Sequence, residues 1–170
     1  MDTLEVIKGK IEVREFSDAE IPFEDQIKVL EAGRFAASAY NKQEWRFILI
    51  NDKGLLKKVG DLAPTGPYIS TAAFAIAVYL DKDVLLATID GTRAVQNMML
   101  AGWYLGLGSC WVDGLKRDDI SKLLGAPDNM RLFTVIPFGK PKKKLLGKKT
   151  RKPLEEIAYV NRFGNKLGAY

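Results

Sequence analysis

A nearly continuous apolar run, AAFAIAVYL at residues 72–80, constrains the fold more than any other feature of the sequence. Such a run is typical of a strand buried on both faces of a sheet, although its periodicity alone does not exclude a buried helix. The longest helical stretch follows at residues 84–105. It is apolar on most sides, so we expect it in the core or in an interface. Enrichment in β-branched and aromatic residues predicts further strands at residues 45–50, 109–112 and 132–138.

The order of the predicted elements favours an α+β fold. Other helices are predicted at residues 2–7, 23–39, 53–60 and 153–160, and a short one capped by Asp118 or Asp119. No Gly-x-Gly-x-x-Gly motif leads from a strand into a helix, which disfavours a Rossmann dinucleotide fold. We therefore predict an α+β sandwich with a long central helix, formed by a single domain over residues 1–170.

The sequence contains no histidine and one cysteine, Cys110. This composition excludes Ser-His-Asp and Cys-His catalysis, and it removes nearly all catalytic zinc sites, so we expect no metal. An enzyme with this composition must rely on carboxylates or on a bound cofactor. Cys110 itself is expected to be a small buried hydrophobic residue, with a reactive thiol as the alternative.

The distribution of charge and apolar residues bears on location and partners. A single cysteine, an acidic N-terminus and apolar runs too short for a bilayer predict a soluble, cytoplasmic protein with no membrane partner. The net charge is +5, and a basic run lies at residues 140–152. This run could contact phosphates or form a solvated loop. We expect no nucleic-acid partner, because no recognition helix or stacking motif accompanies the charge.

Four stretches of the sequence, in this order, resemble the nitroreductase family. In the second stretch, Ser38, Asn41, Gln43 and Trp45 are similar to the family's Pro-Ser-x-x-Asn-x-Gln-Pro-Trp-x-Phe, although Ala37 and Glu44 stand where its prolines would be. The third stretch carries Gly-Leu-Gly-Ser-Cys-Trp before Asp-Gly. The four stretches are residues 4–17, 37–47, 90–114 and 138–155.

The resemblance implies an FMN-dependent oxidoreductase with an α/β/α sandwich, a mainly antiparallel sheet and the long helix at a homodimer interface. Hydride would come from NAD(P)H, and the acceptor would be a small molecule such as a nitroaromatic, quinone or enone. The flavin does the chemistry, so no catalytic side chain is expected. A non-catalytic flavin- or nucleotide-binding module is the alternative.

For the FMN phosphate, the resemblance implies the cations Lys149 and Arg151, which match the family's Lys-x-Arg. The opening segment departs from the family pattern: Lys10 replaces its first Arg, Ile11 its second and Glu12 its Ser. A carboxylate at Glu12 repels a phosphate unless it turns onto a cation. Arg14 is retained and is expected to pair with Glu12 or with the phosphate. Either the late lysines compensate, or FMN binds more weakly.

For the flavin ring, the resemblance implies two further contacts. Ser38, Asn41 and Gln43 would reach the ring and ribityl chain from the partner subunit, although a helix-capping turn is a simpler interpretation. Asp113 and Gly114 would place a backbone N–H, that of Gly114, near flavin N5, and their alternative is an ordinary strand-end turn.

Overall fold

The structure is a computed structural model that describes residues 1–143 and 149–167, so the middle of the basic run lies outside the described residues. The helices are α1 (Thr3–Gly9), α2 (Phe23–Arg34), α3 (Lys53–Asp61), α4 (Ala87–Tyr104), α5 (Arg117–Leu124) and α6 (Leu154–Ile157). The strands are β1 (Trp45–Ile50), β2 (Phe74–Asp81), β3 (Gly108–Ser109) and β4 (Met130–Gly139). Two short 3-10 turns, Ala39–Asn41 and Pro67–Thr71, lie between these elements.

The four strands form one antiparallel sheet in the order β1-β2-β4-β3. β2 is an inner strand, paired with β1 on one side and β4 on the other. Its first seven residues are all buried, which confirms the predicted doubly buried strand and rejects the helix alternative.

Helices cover both faces of the sheet. Apolar residues of α2 and α4 pack on one face, and those of α3 and α5 pack on the other. The alternation of β2 divides its side chains between the two cores. Phe74, Ile76, Val78 and Leu80 join α2 and α4, whereas Ala75, Ala77 and Tyr79 join α3 and α5. The predicted α/β/α sandwich with an antiparallel sheet is therefore confirmed.

A β-bulge interrupts the pairing of β2 with β4. Val78 lies opposite Thr134 and Tyr79 lies opposite Leu132, so Phe133 is an extra residue in β4. Phe133 packs against the α2–α4 face, where its ring meets that of Trp111 edge-on at 5.1 Å between centroids. Because of this extra residue, Leu132 before the bulge faces the core of α3 and α5, whereas Ile136 and Phe138 after it face the core of α2 and α4.

The long central helix is α4, whose Ala94, Val95 and Met98 are fully buried. Gly33 of α2 lies against it, and a Cβ at Gly33 would come within 2.8 Å of Met98 Cγ. A glycine is therefore needed where the two helices approach this closely. Part of the surface of α4 is solvent-exposed, since Tyr104 at its C-terminal end is 60% exposed.

The predicted N-terminus of α1 is confirmed. The Asp2 carboxylate accepts a hydrogen bond from the Glu5 N–H, and the Glu5 carboxylate accepts one from the Asp2 N–H, which makes a full capping box. The predicted cap of α5 is wrong, since Lys116 is its N-cap without a side-chain hydrogen bond. Asp118 and Asp119 instead lie in the first turn, where their charges favour the positive end of the helix.

Three predicted boundaries also change. α2 ends at Arg34 instead of residue 39. Residues 35–38 are not helical, and they lead to Ala39, whose N–H bonds to Asp90 of α4. The short strand after the glycines covers only Gly108–Ser109, although Val112 still makes an isolated bridge to Val135. The last helix is a single turn, Leu154–Ile157. Within the described residues, each helix is too short or too polar to cross a bilayer.

Candidate functional site

Three cations gather at the C-terminal end of α1, and we call Lys10, Lys149 and Arg151 the basic cluster. Lys10 follows α1 directly, and its N–H closes the helix on the Val6 carbonyl at 3.0 Å. The Lys149 ammonium donates to the Ile7 carbonyl at 2.6 Å, which ties the late chain to the same helix end. Cations at this position are stabilised by the negative end of the helix dipole.

The basic cluster borders an open cleft of about 870 Å³ whose lining includes Lys149, Arg151, Gly9 and Gln96. Burial and the positive charges of Arg151 and Lys10 lower the pKa of the Lys149 ammonium, while Glu12 raises it to a smaller extent. Burial is the largest cause of this lowering, and the two neighbouring cations add to it. An anion bound in the cleft would raise the pKa of Lys149 again.

Glu12 lies inside this group of cations. Its carboxylate forms an ion pair with the Lys10 ammonium, whose side chain is only 7% exposed. The same carboxylate accepts a hydrogen bond from the Trp111 N–H at 3.2 Å. Glu12 has therefore turned onto a cation, and it also connects the basic cluster to the chain segment that leads to Asp113 and Gly114.

Arg14 contacts two groups that the sequence did not predict. It lies beside Cys110 and Tyr68, which together raise the pKa of its guanidinium. The Tyr68 hydroxyl donates to Cys110 Sγ at 3.3 Å. Burial raises the pKa of Tyr68 to about 12 and also raises the pKa of the Cys110 thiol. Cys110 is buried and stays protonated at neutral pH, which confirms the small hydrophobic residue and disfavours the reactive thiol.

Residues 38–43 form a compact loop that we call the Ser38 loop. The Ser38 hydroxyl accepts a hydrogen bond from the Gln43 N–H at 3.1 Å, and the Gln43 amide donates to Asn41 Oδ1 at 3.1 Å. Tyr40, Asn41 and Gln43 all have positive φ, at 53°, 56° and 54°. Three left-handed residues without a glycine are costly, and such strain clusters at functional sites.

Asp90 holds the Ser38 loop against α4. The residue is only 1% exposed, and its carboxylate accepts a hydrogen bond from the Ala39 N–H at 2.8 Å. Arg93 pairs with the other carboxylate oxygen at 3.1 Å. Asp90 lies in the first turn of α4, and the sequence did not predict its role in holding this loop.

The N-terminal segment and the Ser38 loop contact opposite ends of α4, and the cleft beside the basic cluster reaches Gln96 between them. Gly9, next to Lys10, packs on Trp103 in the last turn of the helix, whereas Asp90 holds the loop at the first turn. Asp90 and Trp103 are thirteen residues apart, which corresponds to about 20 Å along the axis. Within one subunit the structure brings Lys10, Lys149 and Arg151 together, and it keeps Ser38, Asn41 and Gln43 away from them.

The turn at Asp113 and Gly114 is joined to the loop before the second 3-10 turn. The Gly114 N–H donates to the Thr65 hydroxyl at 3.0 Å, so this donor has an acceptor within the chain. A Cβ at Gly114 would collide with the Thr65 side chain. The Asp113 carboxylate pairs with Arg117 in α5. A glycine at residue 114 is thus required by packing.

A family model matches most of the chain. The family model described as "Nitroreductase family" matches residues 7–75 and 63–140. The chain belongs to the nitroreductase family.

Several relatives within the nitroreductase family resemble this chain over most of its length. A protein named "Putative NADH dehydrogenase/NAD(P)H nitroreductase" from Archaeoglobus fulgidus is 33% identical over 150 residues, covering 83% of this chain and 86% of the relative. An FMN reductase (NADPH) from Bacillus subtilis is 23% identical, covering 95% of this chain and 74% of the relative. A crystal structure with the same name as the first relative, from Parabacteroides distasonis, has a TM-score of 0.85 at 28% identity, covering 95% of this chain and 98% of that one.

The sequence patterns of this nitroreductase-family chain did not predict the groups that connect the segments of the site. Trp111 reaches Glu12 through its backbone N–H, Thr65 reaches Gly114, and Tyr68 reaches Cys110 and Arg14. These contacts join positions 42 or more residues apart, and local patterns carry no signal for them. Asp90 is the exception, because an acid in an otherwise apolar helical stretch was a visible signal.

Proposed function

We propose that the chain is an FMN-dependent oxidoreductase that takes hydride from NAD(P)H and reduces a small acceptor such as a nitroaromatic, quinone or enone. The observation that carries this proposal is the basic cluster beside an open cleft, in a member of the nitroreductase family. Relatives named as NAD(P)H nitroreductase and FMN reductase support the reaction class.

The charges of the cleft fit a flavin phosphate. A phosphate monoester carries nearly two negative charges at neutral pH, and it is bound well by an Arg fork and by Lys ammonium groups. Lys149 and Arg151 both line the cleft, and Lys149 keeps donors beyond the one given to Ile7. We propose that these two residues hold the phosphate, with Lys10 behind them.

When bound, FMN supplies the two-electron chemistry that accepts hydride and passes electrons to the second substrate. The side chains of this chain bind and orient it. The backbone at Asp113 and Gly114 is joined to the basic cluster through Glu12 and Trp111, and we propose that it faces the ring. We propose that Arg14 also binds the cofactor, at its phosphate end. Because the cofactor supplies the chemistry, no catalytic histidine is needed, and the sequence contains none.

We propose a homodimer because, among the described residues of one subunit, no hydrogen bond or ion pair joins the Ser38 loop to the basic cluster. Asp90 holds the loop at the first turn of α4, whereas Gly9, next to Lys10, contacts Trp103 in the last turn, so the loop of a second copy would complete each site. Exposed apolar side chains near the cleft and α4 support a covered surface. Ile7 is 44% exposed, Phe35 is 72% exposed and Tyr104 is 60% exposed.

Subunit mixing tests the shared site. A variant with Lys149→Ala and Arg151→Ala and another with Asn41→Ala and Gln43→Ala are each expected to bind FMN poorly. Co-expression then restores binding in part, since a mixed dimer has one intact site and one doubly altered site. A site contained in one subunit predicts no restoration.

The main test of the reaction is direct. The purified protein is expected to be yellow, to release FMN on denaturation and to lose flavin absorbance within seconds of mixing with NADH or NADPH. Flavin binding without bleaching would favour the alternative, a non-catalytic flavin-binding module. The carboxylate of Glu12 at the phosphate end is the feature that supports this alternative. The single buried cysteine suits a reducing compartment, and we propose a cytoplasmic location.

A further inference from the structure

Glu12 is the one carboxylate in direct contact with the basic cluster among the described residues. Its ion pair partly neutralises Lys10, a cation whose charge also acts on Lys149 at the edge of the cleft. Lys10 is nearly fully buried, and the hydrogen bond from Trp111 fixes the carboxylate from the other side. The position of Glu12 is therefore built into the fold and does not depend on a freely rotating side chain.

The charge of Glu12 reaches beyond its direct partners. It raises the pKa of Lys149 against the lowering effects of burial, Arg151 and Lys10. It also raises the pKa of Arg14, although less than Cys110 and Tyr68 do. A phosphate held by Lys149 and Arg151 would therefore meet one fixed negative charge within the same group of cations.

We propose that Glu12 is a specificity-determining residue that acts as an internal counter-anion and reduces the preference of the site for a phosphorylated flavin. The inference rests on the proposed flavin site and adds to it the selection between FMN and riboflavin. A flavin without the 5′-phosphate does not encounter the carboxylate at that end, so its affinity is independent of Glu12. The phosphate of FMN, held by Lys149 and Arg151, is repelled by the negative charge of Glu12.

The Glu12→Gln variant isolates the charge. The glutamine side chain has nearly the same shape, and its carbonyl oxygen can still accept the Trp111 N–H. Removing the charge frees Lys10 and ends the repulsion. We expect the dissociation constant of FMN to fall about fivefold, while that of riboflavin changes less than about twofold.

Glu15→Gln is the matched control. Glu15 lies three residues further along the same segment, and its carboxylate pairs with Lys143 at 3.0 Å on an exposed surface. The same charge change at this site should leave both dissociation constants unchanged. A second variant, Glu12→Ser, removes both the charge and the acceptor for Trp111. It should also favour FMN over riboflavin, with a lower melting temperature than Glu12→Gln.

The measurement is quenching of flavin fluorescence during titration of flavin-free protein, with FMN and riboflavin in parallel. A gain for FMN alone in Glu12→Gln supports the inference. Unchanged or weaker FMN binding, or an equal gain for both flavins, overturns it. If wild type binds FMN and the variant matches it, only this inference is wrong. If neither protein binds FMN, the proposed function is wrong as well.

Discussion

The Ala39 N–H donates to the Asp90 carboxylate at 2.8 Å and so joins the Ser38 loop to the first turn of α4. Asp90 is almost completely buried, and its second oxygen pairs with Arg93. One side chain thereby fixes a loop that is 51 residues away in sequence. The strained backbone of that loop, with three positive φ values, is stable only while such contacts hold it.

Asp90→Ala is expected to lower the free energy of unfolding by about 2 kcal/mol, because the half-buried Ala39 N–H loses its acceptor. The loosened Ser38 loop should also weaken flavin binding. Chemical denaturation and flavin titration measure the two effects. Asp83→Ala, in the exposed turn after β2, serves as the control and should change neither quantity. An Asp90 variant with wild-type stability would contradict the role of this hydrogen bond.

Gly114→Ala is expected to destabilise the protein by about 1–3 kcal/mol, because the new Cβ overlaps the Thr65 side chain. A Thr65→Ala background removes the two atoms that come closest and should reduce this cost. Denaturation of the four proteins in the double-mutant cycle gives the coupling energy. Additive effects would show that the two residues do not compete for this space.

Lys149→Ala and Arg151→Ala are each expected to weaken FMN binding by about tenfold or more, since a charge-assisted hydrogen bond to the phosphate is lost. Riboflavin binding should change little. Lys57→Ala is the control for loss of a surface charge, because Lys57 pairs with Asp61 on α3. An equal loss for FMN and riboflavin would place these cations away from the phosphate.

Stability should depend on Tyr68 in alkaline solution. Its pKa rises from an ordinary value of 10.0 to about 12 through burial and the hydrogen bond to Cys110. Because the folded state favours the neutral phenol, this stabilisation is complete below pH 10 and is lost as the pH rises toward 12. Tyr68→Phe should show a shallower decline over that range in denaturation experiments. An identical decline in the variant would assign the effect to other groups, such as Tyr79, whose pKa burial also raises.

The sequence patterns predicted those parts of the fold that depend on local chemistry. The apolar run became β2, the long apolar stretch became α4, and the predicted opening helix became α1. Each of these features follows from periodicity or from a single residue type.

The rest of the structure depends on contacts between distant positions. The extra residue Phe133 in β4 is defined only by the partner strand, and the end of α2 depends on where the next loop docks. At the candidate site, the cations were found by resemblance. The sequence left open whether Glu12 repels the phosphate or turns onto a cation, and its contacts with Lys10 and with the distant Trp111 decide between the two.

The central helix sets the span of the candidate site. Because Asp90 anchors the Ser38 loop at the start of α4 and Trp103 contacts Gly9 near its end, the number of turns in α4 fixes the distance between these two anchor points. A one-residue insertion in α4 would shift one end by about 1.5 Å and rotate it by about 100° relative to the other. Length variation among homologues should therefore concentrate in the connecting loops, while α4 keeps a constant length wherever the same ligand is bound.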